Sequence, residues 1–427
     1  MRARFLFWVG LLDLAVLALA AIGASLYVYG TPLPWDSVQG ARVYPMLLFL
    51  AISMVVASSL TAQMSGPGVP RPTYGRMLAI ALLTGALTAL LIVFVRPDYF
   101  SRGFLGWAGL GWVVLATIHR SLQRLRPWTE KIGVITAEKQ LAEDVAASPH
   151  AIVVWVLDPK FDGPLELPAR DIAMAVDLRA VLSERVARFL SSCDVAGYNI
   201  RPFSSVYEEH TGRVPLVHLG EGWEISAPLL EVAPWLPGKR MFDLVVTVLL
   251  SPIWVVVGLV VAGYIRLATN GPALFHQPRV GNQGRTFTMY KFRTMGEDAE
   301  KDGPRFATED DDRLVQGGRF LRKSRLDEIP QLWNVLKGDM SLVGPRAEQV
   351  PFVEEFRREI PFYDHRHLVR PGITGWAQVN YGYADDQADT IEKLTYDLYY
   401  VKHMSPVMDL RVLWKSVWTV LTGFGAR

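Results

Sequence analysis

The sequence predicts a membrane α + α/β protein: a four-span N-terminal helical bundle, a small βαβ-like cytosolic domain, and a mainly helical monotopic C-terminal domain with a re-entrant helix. Three observations predict it. Hydrophobic residues make up 50% of the 427 positions, and the mean hydropathy of +0.19 is high for an ordinary soluble domain. The apolar residues gather into four runs in the first third of the chain and a fifth, interrupted run beyond its middle. Between these groups, strand-like and helix-like stretches alternate.

The four runs cover residues 5–29, 43–62, 77–95 and 103–118, each near the roughly 20 residues a membrane helix needs, with the last marginal. A cleaved signal peptide ending at Ala18-Leu19-Ala20 is disfavoured, because the first run is too long and three more follow. Arg2 and Arg4 precede the first run, Arg71 and Arg76 follow the second, and Arg120, Arg124 and Arg126 follow the fourth. Those ends are expected on the cytoplasmic side. Asp13, inside the first run, is either a functional intramembrane carboxylate or one that reaches interfacial water from near a helix end, and the second reading is favoured.

Residues 128–219 turn globular. Strand-like 131–135, 152–157 and 172–176 alternate with helix-like 139–147 and 178–190. The first strand runs into Thr136-Ala137-Glu138 with no glycine for a pyrophosphate to approach, which argues against NAD and for a structural or regulatory domain. After a linker at 220–238, the fifth apolar run at 242–265 is broken by Ser251-Pro252 and flanked by Lys239-Arg240 and Arg266. Proline removes a helical hydrogen bond, and cations at both ends favour a helix that enters and leaves by one face over a kinked full span. The domains are therefore expected at 1–127, 128–219 and 239–427, the last containing the re-entrant helix.

Whole-chain charge is nearly balanced, 44 Lys+Arg against 42 Asp+Glu for a net +2. A globally basic nucleic-acid binder and an acidic disordered chain are excluded. The single cysteine, Cys193, excludes an internal disulfide framework and a Cys-rich zinc module.

Chemistry concentrates in the last third. Lys291 and Arg293, two residues apart, would share one face of an alternating strand and offer two cations to one anion. An acidic stretch at 297–312 contains Asp310-Asp311-Asp312, which reads as a charged loop or as the Asp-x-Asp metal motif of a nucleotide-sugar glycosyltransferase. Arg313, Arg319, Arg322, Lys323 and Arg325 then lead to Leu326-Asp327-Glu328-Ile329-Pro330-Gln331. Pro330 and the apolar Leu332, Val335 and Leu336 predict a helix beginning near Asp327, whose carboxylates diverge so that one attacks phosphorus while the other holds a cation. Plain N-capping by Asp327 is the competing reading. Arg346 and Arg370 each sit in a glycine-rich turn suited to a phosphate. His365-Arg366-His367 could pair on a metal, but no third soft ligand is near, and diphosphates prefer oxygen-bound Mg²⁺.

Residues 239–427 resemble the catalytic domain of the bacterial sugar transferases, the monotopic phosphoglycosyl transferases that begin polysaccharide and glycoconjugate assembly. The matching stretches are KRMFDL with the Ser251-Pro252 break, KFRTM, GRFLRKSRLDEIPQLWNVLKGDMSLVGPR, RPGITGWAQVN and KLTYDLYYVKH. The preceding spans and α/β segment resemble the extension of the larger, polyprenyl-phosphate hexose-1-phosphate transferase members. Ala347 stands where proline is usual, and Val315-Gln316 where a Thr-Arg pair is common, which puts local loop shape and one phosphate contact in question.

The resemblance implies transfer of hexose-1-phosphate from a UDP-sugar to undecaprenyl phosphate, with release of UMP. Asp327 would be the nucleophile and Glu328 the Mg²⁺ ligand. Lys291, Arg293, Arg322, Arg346 and Arg370 would clamp phosphates, with Asp397 and Gln378 as further candidates. It places the protein in the bacterial inner membrane, multi-pass, with the catalytic domain on the cytoplasmic face. Implied partners are membrane lipids, a homodimer mate and downstream glycosyltransferases, but no nucleic acid. The competing functions are a non-catalytic membrane scaffold and an Asp-x-Asp glycosyltransferase releasing UDP. The last helix-like stretch, 407–421, carries Trp414 and Trp418 beside Arg411 and Lys415 and either lies on the interface or packs as an amphipathic helix.

Overall fold

Leucine- and alanine-rich runs without polar interruption form helices wherever they are long enough, and the first third of the chain is built from them. A computed structural model describes residues 2–36, 44–61, 74–96, 101–124, 129–219, 235–269, 271–296, 313–381 and 387–422. The acidic stretch at 297–312, with Asp310 to Asp312, and most of the 220–238 linker lie outside the described residues. The fold separates into two units, Met1–Thr211 and Gly212–Arg427.

The first unit opens with helices α1 (Arg2–Tyr29), α2 (Tyr44–Leu60), α3 (Tyr74–Val95) and α4 (Arg102–Arg124). Helix α1 packs on α4 and α2 on α3. Small residues bring α1 and α4 together: a Cβ on Gly111 would sit 3.3 Å from Ala20 Cβ. Outward residues such as Leu19, Leu82 and Val93 are exposed, as an apolar solvent demands. Gly10–Tyr29 and Arg76–Val95 are long and apolar enough to cross a membrane, whereas α2 is a shorter apolar helix. Asp13 does not reach interfacial water. Helix α1 starts as early as Arg2, so Asp13 is well inside it, fully buried, with Oδ2 3.0 Å from Arg120 Nη2 and Oδ1 3.3 Å from His119 Nε2.

Strands β1 (Glu130–Ile135), β2 (Ala151–Leu157), β3 (Ile172–Val176) and β4 (Ile200–Pro202) form a parallel sheet in the order β2-β1-β3-β4. Parallel sheets need both faces covered. Helices α5 (Lys139–Ala146) and α7 (Phe203–Thr211) bury Ala142, Val145, Phe203 and Val206 with Ile132 and Val134. Helix α6 (Glu184–Val195) buries Val186, Phe189 and Cys193 with Ile135, Met174 and Val176. It starts six residues later than the sequence predicts, because Ser183 caps it by accepting from Val186 N at 3.2 Å. Just before it, Asp177 Oδ1 accepts from Arg179 N at 3.0 Å in a turn.

The second unit begins with helices α8 (Trp235–Leu249) and α9 (Ser251–Ala268), separated at Leu250 with Pro252 in the first turn of α9. Ser251–Ala268 is also long and apolar enough to cross a membrane. Helix α8 is two-faced. Lys239, Asp243 and Thr247, four residues apart, are buried, while Met241, Val245 and Val248 are exposed. Lys239 Nζ donates to Asp409 Oδ2 at 2.7 Å, and Asp243 accepts from Ser341 Oγ at 2.7 Å and Leu342 N at 3.2 Å. Buried charge is tolerated here because each group has a partner.

An antiparallel hairpin of β5 (Leu274–Val280) and β6 (Thr286–Phe292) follows. After it come α10 (Gly318–Lys323), a 3₁₀ turn at Leu326–Glu328, and α11 (Gln331–Lys337). Strand β7 (Ser341–Val343) leads to α12 (Val350–Glu359) and then pairs in parallel with β8 (Gly372–Thr374). Helices α13 (Trp376–Asn380), α14 (Gln387–His403) and α15 (Pro406–Thr422) complete the unit. Its core joins Val335, Val343, Phe356, Trp376, Leu398 and Tyr400. Helix α9 places Val261 and Ile265 against Ala273, Phe292 and Leu321, with Leu326 and Ile329 packed on the same cluster. Residues on both sides of Asp327-Glu328 therefore rest on an apolar, membrane-type helix.

Candidate active site

Asp327 and Glu328 do not begin an α-helix. Arg325 adopts a left-handed conformation (φ 59°) that turns the chain, residues Leu326–Glu328 form a single 3₁₀ turn, and the α-helix starts only at Gln331. Proline at 330 suits the first turn of a helix, but the bend at Arg325 separates the carboxylates from it. Plain capping is also absent: no side-chain hydrogen bond caps α11. Both carboxylates are nearly buried, at 7% and 6% exposure.

The two carboxylates have different surroundings. Glu328 Oε1 accepts from Arg346 Nη1 at 3.0 Å and faces Arg325 Nη1 at 3.4 Å. Asp327 Oδ1 is buried without a hydrogen-bond partner. Burial works against charge on both, but Arg346, Arg325 and Lys291 reverse that for Glu328 and hold it down at about 2. Asp327 goes the other way, pushed up to about 6 by burial and by the negative charge of Glu328, against the pull of Lys291 and Arg346. Two adjacent carboxyls are thus set far apart in proton affinity, the arrangement that assigns separate roles to a pair. Asp327 is the more basic and the less encumbered.

The other predicted residues divide into those brought to this pair and those that are not. Lys291, on β6, interacts electrostatically with both carboxylates, and burial together with Arg346 lowers it to about 7. Arg346 reaches Glu328 directly. Arg293 does not contact the pair. The strand ends at Phe292, and the Arg293 guanidinium turns to Thr269 Oγ1 at 2.6 Å, over Gly271, where a Cβ would lie 2.0 Å from Nη1. Arg322 donates to Thr294 Oγ1 at 3.2 Å. Arg370 is an electrostatic neighbour of Arg240, whose Nη2 donates to Leu336 O at 2.8 Å, at the far end of α11 from the pair. Gln378, on α13, donates weakly to Ile373 O at 3.4 Å.

Asp397 acts one step behind the site. Its Oδ2 accepts from Arg366 Nη2 at 2.7 Å, and the same nitrogen donates to Arg346 O at 3.0 Å. The chain Asp397, Arg366, Arg346, Glu328 fixes the arginine that fixes the glutamate. Glycines make room for it: a Cβ on Gly344 would sit 2.3 Å from Arg370 O, and one on Gly372 would sit 2.1 Å from Gly344 N. Only glycine lets the turns before Arg346 and after Arg370 cross this closely. Of the departures, Ala347 is buried and its carbonyl accepts from Arg279 Nη1 at 3.0 Å. Gln316 O faces Tyr264 Oη at 3.4 Å.

Sequence reasoning missed Arg325 and Arg279 as site residues. Both are electrostatic neighbours of the cluster, Arg325 through Glu328 and Arg279 through Lys291. Arg325 lies two residues before Asp327, a proximity that could have flagged it. Arg279 lies on β5, which pairs with the strand that carries Lys291.

Among the described residues no three His, Cys, Asp or Glu side chains group to hold a metal. Two adjacent carboxylates with one orphaned oxygen still suit a hard, oxygen-liganded cation that takes the rest of its shell from a phosphorylated ligand.

Long apolar helices and a buried carboxylate pair ringed by cations define a membrane-associated protein with a site suited to phosphorylated ligands. A sequence model described as bacterial sugar transferase matches residues 235–423. The chain is 43% identical over 282 residues, 65% of it and 65% of the relative, to a UDP-N-acetylgalactosamine-undecaprenyl-phosphate N-acetylgalactosaminephosphotransferase of Aeromonas hydrophila. It is 36% identical over 256 residues, 58% of it and 52% of the relative, to a UDP-glucose:undecaprenyl-phosphate glucose-1-phosphate transferase of Klebsiella pneumoniae. An uncharacterized sugar transferase, EpsL, of Bacillus subtilis (strain 168) is 40% identical over 191 residues, 44% of this chain and 89% of the relative. The chain belongs to the bacterial sugar transferase family. It spans less than two thirds of the Aeromonas and Klebsiella proteins.

Proposed function

We propose that this protein transfers hexose-1-phosphate from a UDP-sugar to undecaprenyl phosphate and releases UMP, as the opening step of exopolysaccharide or glycoconjugate synthesis. The observation that carries the reading is the orphaned, raised carboxylate of Asp327 beside the clamped carboxylate of Glu328. An oxygen of Asp327 attacks the phosphorus that bears the sugar, the bond from that phosphorus to the UMP oxygen breaks, and an acyl phosphate remains on the enzyme. An oxygen of the polyprenyl phosphate then attacks the same phosphorus and displaces the carboxylate. Acyl phosphate and diphosphate are both high-energy anhydrides, so neither half-reaction is an energetic trap.

Lys291, Arg346 and Arg325 offset the phosphate charge. Glu328, with Asp327 beside it, would hold Mg²⁺, which supplies charge neutralisation on the diphosphate when bound. Arg293, Arg322 and Arg370 remain as contacts for the outer parts of the substrates.

The same reading makes α1 to α4 four spans and α8 with α9 a re-entrant pair. This sets the catalytic unit on the cytoplasmic face of the inner membrane, where the lipid phosphate lies. A homodimer and contacts with downstream glycosyltransferases belong to this reading too. The test is an assay of the purified protein with undecaprenyl phosphate and a panel of UDP-sugars. UMP release supports the proposal, whereas UDP release identifies simple sugar transfer and defeats it.

A further inference from the structure

Residues 212–219 come before the stretch that matches the family, residues 235–423, and composition alone assigns them to the α/β segment. They nevertheless belong to the second unit. Val214 and Leu219 are buried in its core, with Leu216 packed against it. Gly212 opens the segment at φ +69°, and a Cβ there would sit 3.2 Å from Trp376 Cζ2, so only glycine fits both the turn and the approach. Its carbonyl accepts from Trp376 Nε1 at 2.8 Å, and Trp376 in turn stacks on Tyr399 of α14 with ring centres 5.9 Å apart. Val214 N donates to Thr395 O at 3.0 Å. Arg213 forms an ion pair with Glu392, and its guanidinium lies 5.9 Å from the Tyr396 ring centre. A short strap, beginning where α7 ends, is therefore fastened along one side of α14.

Helix α14 serves the carboxylate pair from its next face. Glu392 and Tyr396, four residues apart, meet the strap, whereas Lys393 and Asp397, also four apart, line a polar cavity of about 20 Å³ with Glu348, Tyr363 and Arg366. Arg366 binds Asp397 and the Arg346 carbonyl, and Arg346 holds Glu328. Lys393 is an electrostatic neighbour of Glu348, Arg346 and Asp397. A rotation of α14 about its axis would move Lys393 and Asp397 together, and the arginine that holds Glu328 would follow. Arg213 and Glu392 are 17% and 29% exposed, so their pair contributes little to stability. What it fixes is the rotation of the helix.

We propose that Arg213 is a positioning residue for the transfer described above: by pairing with Glu392 it sets the rotation of α14 and, through Asp397, Arg366 and Arg346, the aim of Glu328. The inference rests on that functional reading. It extends the working catalytic unit upstream of the family match, to a strap that follows directly on the last helix of the α/β domain.

The test compares full-length wild type, Arg213→Gln, Arg213→Glu, Glu392→Arg and the exchanged pair, Arg213→Glu with Glu392→Arg. UMP release is measured with undecaprenyl phosphate and whichever UDP-sugar of the panel above is turned over fastest, giving kcat and KM, and each protein is melted in detergent. Arg213→Gln should lower kcat about tenfold or more, since a misplacement of about 1 Å can cost about a hundredfold. KM should stay within about twofold, and the melting temperature within about 4 °C, of wild type. Each reversed charge alone should lose at least as much turnover, and the exchanged pair should return to within about threefold of wild type. An unchanged kcat in Arg213→Gln, a loss carried by KM or by melting instead, or an exchanged pair no better than the single variants would overturn the proposal. A wild type that releases no UMP defeats the transfer itself, and the proposal falls with it.

Discussion

Arg346→Gln removes the shorter of the two arginine contacts to Glu328, 3.0 Å against 3.4 Å for Arg325. Glu328 is held at about 2 against an ordinary 4.5, a preference for the charged form on the order of 3 kcal/mol. Burial opposes that preference and Arg346 is the leading cation behind it, so the variant strands a buried carboxylate. Breaking such a pair from one side typically destabilises by about 3 to 5 kcal/mol. Arg325 and Lys291 remain, which brings the expected loss to about 2 to 3 kcal/mol, or about 5 to 10 °C in the melting temperature of a unit this size. The pH sign follows from a depressed acid. The stabilisation is complete above the ordinary 4.5 and is lost as pH falls towards 2, so the deficit of the variant should be largest at neutral pH and shrink on acidification. The assay is thermal melting in detergent of the wild type, Arg346→Gln, Glu328→Gln and the double variant. The double variant should recover much of the stability, because the buried Glu328 carboxylate no longer lacks its leading cation, while UMP release stays at least about a hundredfold down in all three. A melting temperature unaffected by Arg346→Gln, or losses that simply add in the double variant, would refute the reasoning.

The pH dependence of kcat/KM should be bell-shaped. Activity falls as acid protonates Asp327 near 6, and falls again as Lys291 loses its charge above about 7. Lys291→Arg should move only the alkaline limb upward, and an immobile limb would remove Lys291 from the site. Glu328→Gln should lose turnover together with most of its response to Mg²⁺, measured by titrating the metal against UMP release. An unaltered metal response would relocate the cation. Gly344→Ala should destabilise by about 1 to 3 kcal/mol, read as a lower melting temperature, because its Cβ would meet the Arg370 carbonyl at 2.3 Å.

The apolar helices are legible in the sequence because a run of Leu, Ala and Val has few other fates, and each predicted run overlaps a helix or a helix pair over most of its length. The parallel sheet is legible for a similar reason, since β3 is a fully buried apolar run and β1 is buried at all but one position. Strand β4 is not, because three residues ending in Pro202 carry no period. Near the site, the Asp327-Glu328 pair is legible as a motif, whereas its 3₁₀ geometry depends on one left-handed residue, Arg325, that no side-chain pattern announces. Alternation along the strand does not announce that the Arg293 guanidinium is drawn to Thr269 over the hollow left by Gly271. Asp397 is visible as a motif residue, but its connection to Glu328 through Arg366 and Arg346 exists only in three dimensions.

The central claim is that Asp327 carries the sugar phosphate between donor and acceptor. Incubating the enzyme with a UDP-sugar and no undecaprenyl phosphate, quenching, and weighing the protein intact tests it most directly. One hexose-phosphate adduct per chain on Asp327 is expected, with an equal burst of UMP, and neither with Asp327→Asn. Turnover in the full reaction without any adduct, or an adduct that persists in Asp327→Asn, would contradict it.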